Sequence, residues 1–168
     1  MRVLITGAAG SGTSTLAREL GSILSASVLE ADDYFWLPTS PPFTHKRDPQ
    51  ERLSLILRDL DRVSNVVIAG SIVDWGLELE NSVSMIVFLT VPAAIRVERL
   101  RRREQLLFGR INPAFLEWAA QYDEGHLPGR SRMKHERWLA QRRAPILRID
   151  GDVSIEQAAR AVAAAIEK

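Results

Sequence analysis

Thr6-Gly7-Ala8-Ala9-Gly10-Ser11-Gly12-Thr13-Ser14-Thr15, entered from Val3-Leu4-Ile5 and followed by Leu16, Leu20 and Ile23, is the most informative run in the chain. The apolar triplet reads as a core strand and the spaced aliphatic residues as one face of a helix, so the glycine-rich run is a strand-to-helix turn. Glycines let the backbone turn tightly and aim several N–H groups inward, and the positive end of the next helix dipole adds its partial charge. Such a turn grips polyphosphate with almost no side chain. The first expectation is therefore a chain that handles nucleotides.

Outward from this turn, apolar runs bounded by turn signals predict five strands at roughly 2–6, 27–31, 65–70, 84–90 and 145–150. Helical patterns lie between them, so the fold class is α/β with a buried parallel sheet. Leu53, Ile56, Leu57 and Leu60 line a helix that starts after Asp48-Pro49, and a last helix is capped by Ser154. Two segments break the rhythm. Residues 36–48 hold three of the eight prolines and read as an irregular loop on the substrate side. Residues 108–130 carry Asn112-Pro113, a short amphipathic stretch around Phe115 and Trp118, and Gly125-His126-Leu127-Pro128-Gly129.

At 168 residues the chain is expected to form one domain, 1–168. With no cysteine, disulfides, thiolate metal sites and cysteine nucleophiles are excluded, and His45, His126 and His135 have no ligand spacing. No signal peptide or membrane span is visible, so a cytoplasmic protein with no membrane partner is expected. The net charge of +1 hides an asymmetry: residues 1–91 carry 7 basic and 11 acidic side chains, residues 92–168 carry 15 and 10. Of the 22 basic residues 19 are arginine, the side chain whose planar fork grips phosphate oxygens in pairs. A solvated helix face is the other account of such runs. Basic residues do not interleave with aromatics as in a nucleic-acid module, so no nucleic-acid partner is expected.

On the template G-x-x-x-x-G-K-[ST] the turn reads Gly7-x-x-x-x-Gly12-Thr13-Ser14, with Thr13 where the lysine belongs. It resembles the small P-loop kinases, the adenylate-kinase-like, shikimate-kinase-like and uridine-kinase-like enzymes. The resemblance implies a three-layer P-loop NTPase fold: a five-stranded parallel sheet in the order 2-3-1-4-5, helices on both faces. It also implies an acceptor-side segment at about 34–65 and a lid at about 108–130. ATP and Mg2+ are the implied cofactors and a small hydroxylated molecule the implied phosphate acceptor.

Carried onto this chain, Gly7, Gly10, Ser11, Gly12, Thr13, Ser14 and Thr15 are expected at the nucleotide, with the Ser14 hydroxyl on the metal. The third strand, ending Ala69-Gly70, lacks a terminal aspartate, so the metal is expected to rely on Ser14 and water, with Asp32, Asp33 or Asp74 nearby. Asp32 and Asp33, placed at the end of the second strand, are the candidate bases for the acceptor hydroxyl. Strand alternation puts them on opposite faces, so one of the pair serves and the other caps backbone. Arg99 and Arg103, four apart with Arg96 three before Arg99, share a helix face where lid-flanking arginines of the resembling kinases contact phosphates. Arg110, Arg130 and Arg132 bracket the lid, and Gly151 after the last strand is a candidate contact to the base. Losing the lysine costs ~1.5–3 kcal/mol of charge-assisted binding unless compensated, and lid arginines are expected to compensate. Trp36 and Trp75, each beside a strand end, stack on a ring or pack in the core.

Two further readings stand beside the kinase. Thr13 suits a nucleotide binder or slow NTPase. Thr6-Gly7-Ala8-Ala9-Gly10 also opens the T-G-x-x-G-x-x-G fingerprint of dinucleotide-dependent oxidoreductases, with Glu30 to Asp33 about 20 residues on. Against that reading, Thr13 replaces its third glycine and neither Tyr34 nor Tyr122 is followed four residues later by lysine.

Overall fold

Runs of Val, Ile and Leu too short for helices form the strands at the centre of the molecule, and the computed structural model describes them within residues 1–125 and 129–167. In chain order the elements are β1 (Arg2–Gly7), α1 (Thr13–Leu24), β2 (Ser27–Glu30), α2 (Ala31–Phe35), α3 (Pro49–Leu60), β3 (Val66–Ala69) and α4 (Leu77–Glu80). There follow β4 (Met85–Thr90), α5 (Ala93–Phe108), α6 (Pro113–Ala120), a 3-10 turn (Gln121–Asp123), α7 (Arg132–Leu139), β5 (Ile146–Asp150) and α8 (Ile155–Ile166).

The sheet is parallel throughout in the order β2-β3-β1-β4-β5, as expected. In dinucleotide-binding sheets of order 3-2-1-4-5-6 the second strand lies beside the first; here β3 takes that place. The sheet topology thus departs from the oxidoreductase reading. Because side chains alternate along a strand, Val3 and Ile5 pack with Leu16, Leu20, Ala159 and Val162 under α1 and α8. Leu4, Ile68 and Phe88 face the other way, onto Ile56 and Leu60 of α3, Leu79 and Trp138. Burial on both faces, at roughly 1.5–3 kcal/mol per large aliphatic side chain, favours this register over a slipped one.

Helix starts follow the sequence. Asp48 accepts from the backbone N–H groups of Gln50 (2.9 Å) and Glu51 (3.1 Å) with Pro49 first in α3, and Ser154 accepts from Gln157 N–H at 3.2 Å. Buried Glu80 pins the β3–α4 connection: its carboxylate accepts from the N–H groups of Trp75 (3.0 Å) and Gly76 (3.3 Å), from Trp138 Nε1 (2.8 Å) and from Arg142 Nη1 (2.7 Å).

One expectation needs correction. β2 ends at Glu30, and Ala31–Phe35 is a short helix, so strand alternation does not apply to Asp32 and Asp33. Residues 36–48 form the irregular loop that their prolines imply, closed at its base. Their flanks pair as an isolated antiparallel bridge, Trp36 opposite Lys46, with Leu37 N–H donating to His45 O (2.9 Å) and Arg47 N–H to Phe35 O (2.8 Å). The prolines are confined to the apex, where the ladder needs no donor. Within residues 108–130, α6 is capped by Asn112, whose side chain accepts from Phe115 N–H at 3.2 Å, and packs through Leu116 and Ala119 onto Leu100 of α5. The 126–128 part of that segment, including His126, lies outside the described residues. Among the described residues no helix is long and apolar enough to cross a membrane.

Candidate functional site

The glycine-rich turn connects β1 to α1 at the carboxyl edge of the sheet, where open α/β sheets hold ligands. Gly10 (φ 81°) and Gly12 (φ 95°) are in the left-handed region that favours glycine. At Gly10 a Cβ would also sit 2.6 Å from Arg96 O, so the turn lies directly on the α5 backbone. At Gly12 a Cβ would meet nothing nearer than 3.7 Å, so the side in front of Gly12 is open. Ser11 is buried, its hydroxyl donating to Ala8 O at 2.8 Å. The side chains of Asp48, Asn112, Ser131 and Ser154 cap the first turns of α3, α6, α7 and α8; Gly12 gives α1 no such cap. The first amides of α1, where Thr13, Ser14 and Thr15 sit, are thus free to face an anion, in the positive end of the helix dipole.

Beside them stands a residue the sequence reading did not assign to the metal. Ser14 Oγ donates to Glu30 Oε2 at 2.7 Å, and Glu30 Oε1 receives Arg18 Nη2 at 3.3 Å. Glu30 ends β2 and brings to Ser14 the carboxylate that β3 lacks. The signal was present in the acidic run Glu30 to Asp33, but its first member read as a strand residue. Among the described residues no group of three or more His, Cys, Asp or Glu is placed for a metal. A hydroxyl with one carboxylate suits a hard cation that takes its other ligands from phosphates and water.

The two aspartates differ. Both are exposed on α2, but Asp32 is the one felt by Arg130: burial pulls the Arg130 guanidinium below its usual pKa, and the charges of Asp32 and then Tyr122 oppose that fall. Asp33 bears on Tyr34 instead, whose hydroxyl donates to Asp59 at 3.0 Å and whose pKa is pushed up to about 12, by burial first and then by Asp59.

The arginines separate in the same way. Arg99 reaches the cradle, Nη1 lying 3.5 Å from Gly10 O, and its other end pairs with Asp152. Gly151 (φ 89°) lies between that loop and β4, donating to Thr90 O at 2.7 Å with open space in front of it. Arg96, grouped by spacing with Arg99, is instead a buried clamp: it donates to Val91 O (2.8 Å), Ala119 O (3.0 Å) and Asp123 (2.7 Å). Helical spacing sets a shared face but not how deep each member sits. Arg103 turns to α6, over Phe115 at 6.0 Å. Arg110 is exposed past the end of α5. Arg132 is exposed at the start of α7, 3.7 Å from Asp123. Arg96 Nη1 also lies 3.5 Å from Ala9 O, so Arg96 and Arg99 both touch the cradle, while Arg130 is the one that bears on Asp32.

Across the crevice a string of rings runs from Trp75 to Phe35 (6.3 Å, stacked), Trp36 (4.8 Å), Phe43 (6.2 Å) and Phe108 (6.5 Å). Trp75 is buried in the core, whereas Trp36 is half-buried. Arg52 of α3 lies over both Trp75 (4.7 Å) and Phe35 (5.1 Å); among the described residues its buried Nε has no hydrogen-bond partner. Burial lowers its pKa, opposed by Asp48. No local pattern marks this cation, which sits in the polar first turn of α3 beside Gln50 and Glu51.

A glycine cradle feeding an uncapped helix in a 2-3-1-4-5 parallel sheet defines a P-loop fold of the small-kinase type. Residues 3–106 match the AAA domain family, and the chain belongs to it. It is 37% identical over 163 residues to Uncharacterized protein YqaC of Bacillus subtilis (strain 168), covering 91% of this chain and 90% of that one. The fold is similar to shikimate kinase from Acinetobacter baumannii in complex with shikimate (TM-score 0.61, 15% identity, 99% of this chain and 92% of that chain). It is also similar to deoxyadenosine kinase from M. mycoides with bound dATP (TM-score 0.63, 14% identity, 100% of both chains).

Proposed function

We propose that the chain is a kinase that binds ATP and passes its γ-phosphoryl to the hydroxyl of a small acceptor. The observation that supports this reading is the Ser14–Glu30 hydrogen bond beside the uncapped first turn of α1, with Asp32, two residues past Glu30, in the field of Arg130. The open amides after Gly10 hold the phosphates, and the Gly151 loop takes the base side. Ser14 and Glu30 would hold Mg2+, which would supply positive charge against the phosphates. Asp32 orients the acceptor hydroxyl and takes its proton as the new P–O bond forms and the bond from γ-phosphorus to the bridging oxygen breaks, releasing ADP. Arg130 faces the transferred group and, with Arg99 at the cradle, supplies the charge that Thr13 lacks. Arg52, set among Phe35 and Trp75, favours an acceptor that pairs a flat or apolar body with an anionic group. Arg103, Arg110 and Arg132 stand outside this set.

The test is ADP formation from ATP and Mg2+ with shikimate, 2′-deoxyadenosine, AMP or gluconate. At least one acceptor should raise turnover above the acceptor-free rate. Asp32→Asn should lower transfer by about 10²–10⁴-fold with ATP affinity unchanged, while Asp33→Asn leaves transfer near wild type. ADP released at one rate with and without every acceptor would refute the kinase. Thr13 and the Arg99–Asp152 pairing support a second reading, a nucleotide binder or slow NTPase, and that same result would favour it.

A further inference from the structure

Behind the acceptor side of the crevice runs a chain of hydrogen bonds that none of these roles uses. His135 of α7 is 1% exposed. Its Nδ1 lies 2.6 Å from Tyr122 Oη and its Nε2 lies 3.2 Å from Ser71 Oγ, with Phe88 meeting the ring edge-on at 5.7 Å. Tyr122 comes from the turn after α6. Ser71 follows Gly70 at the end of β3, and a Cβ on Gly70 would lie 3.1 Å from the Cβ of Ala31, the residue before Asp32. The register that pairs Glu30 with Ala69 thus leads Ser71 to the flank of Asp32.

The direction of the chain follows from its chemistry. Burial drives the imidazole pKa down to about 3; the Arg130 charge adds to this and Glu136 opposes it. The ring is therefore neutral, with one nitrogen carrying a proton and the other a lone pair. Tyr122 keeps its proton, because burial and then Asp123 push its pKa up against the charges of Arg130, Arg96 and Arg132. An O–H donating to nitrogen suits the 2.6 Å contact, and an N–H donating to a hydroxyl suits the 3.2 Å one. The reverse order would leave the Tyr122 proton without a partner among the described residues, on a side chain 6% exposed.

We infer that Tyr122 donates to His135 and His135 to Ser71, so that the Ser71 hydroxyl is fixed as a donor into the crevice and binds an oxygen of the acceptor next to the hydroxyl presented to Asp32. Ser71 is then a binding residue, and His135 and Tyr122 are positioning residues. The ligand class is a small molecule with a hydroxyl, carbonyl or carboxylate oxygen at that point. Only the naming of this ligand as phosphate acceptor rests on the kinase reading.

Two measurements test the inference. In 15N-histidine NMR of the full chain, His135 is expected to be the Nε2–H tautomer and not to titrate between pH 5 and 9. Tyr122→Phe should move it toward the Nδ1–H form, and Ser71→Ala should leave it unchanged. A wild-type Nδ1–H tautomer, or no response to Tyr122→Phe, overturns the relay. In direct binding of shikimate, 2′-deoxyadenosine, AMP and gluconate, Ser71→Ala should weaken at least one probe about ten-fold. Ser71→Thr should restore it, and ATP affinity should hold throughout. If no probe depends on Ser71, the contact is overturned. Neither readout needs turnover, so absence of phosphotransfer would refute the kinase alone.

Discussion

The two walls of the crevice are built from different parts of the chain. The cradle wall is one continuous stretch, Gly7 to Thr15, that needs glycine at Gly10 and Gly12 for backbone reasons and is proposed to work through its main-chain amides. The opposite wall, as proposed, is assembled from side chains of separate elements, Asp32 and Phe35 of α2, Arg52 of α3 and Ser71 after β3, with buried Trp75 and His135 behind them. A main-chain site tolerates exchange of its side chains but not of its backbone conformation. A side-chain site depends on the buried groups behind it.

That contrast is open to attack, most strongly at Glu80. Glu80→Ala removes the acceptor of four hydrogen bonds and leaves Arg142 buried and uncompensated, so urea unfolding should show a loss of about 3–5 kcal/mol. A loss below 1 kcal/mol would mean that the wall holds without its backing. Acid should act next. His135 has a folded pKa of about 3 against 6.5 in the open chain, so the unfolded chain takes the proton first. Stability is complete above pH 6.5 and falls as pH drops toward 3, by roughly 1.4 kcal/mol per unit. Between pH 6.5 and 4.5 the wild type should lose roughly 2–3 kcal/mol, and a variant without the imidazole should show a flatter profile over that window.

A smaller effect should separate the main chain from its side chains in the cradle. Gly12→Ala meets no clash but holds alanine at φ 95°, which costs about 1–2 kcal/mol. ATP should then stabilise the protein less in thermal melts, whereas Thr15→Ala should melt and bind like wild type. Equal nucleotide binding by both variants would remove the distinction. The smallest change in stability belongs to Arg52→Ala. It removes two cation–ring contacts together with a buried Nε that has no partner among the described residues, and these oppose each other within about 1 kcal/mol. Its effect should appear instead as weaker binding of shikimate or AMP.

What was legible in the sequence follows the same division. The cradle, the five strands, and the helix starts at Asp48-Pro49 and Ser154 were readable because each depends on neighbours a few residues apart. Asp32 and Asp33 were placed on a strand because the apolar run leads straight into them; the chain turns into α2 instead, and it is the turn that separates one carboxylate from the other. Arg96 and Arg99 have the same spacing signal and opposite surroundings, since Gly10 presses on the α5 backbone and Ala119 and Asp123 close over Arg96 alone. Arg52, Ser71 and His135 meet their partners across long sequence separations, and no local pattern marks them.

The ring string from Trp75 to Phe108 makes the molecule its own optical sensor. Trp36 sits mid-string between Phe35 and Phe43, so a guest that parts the proline-rich apex from the end of α5 changes the indole's surroundings. The emission difference between wild type and Trp36→Phe would then report occupancy without a label.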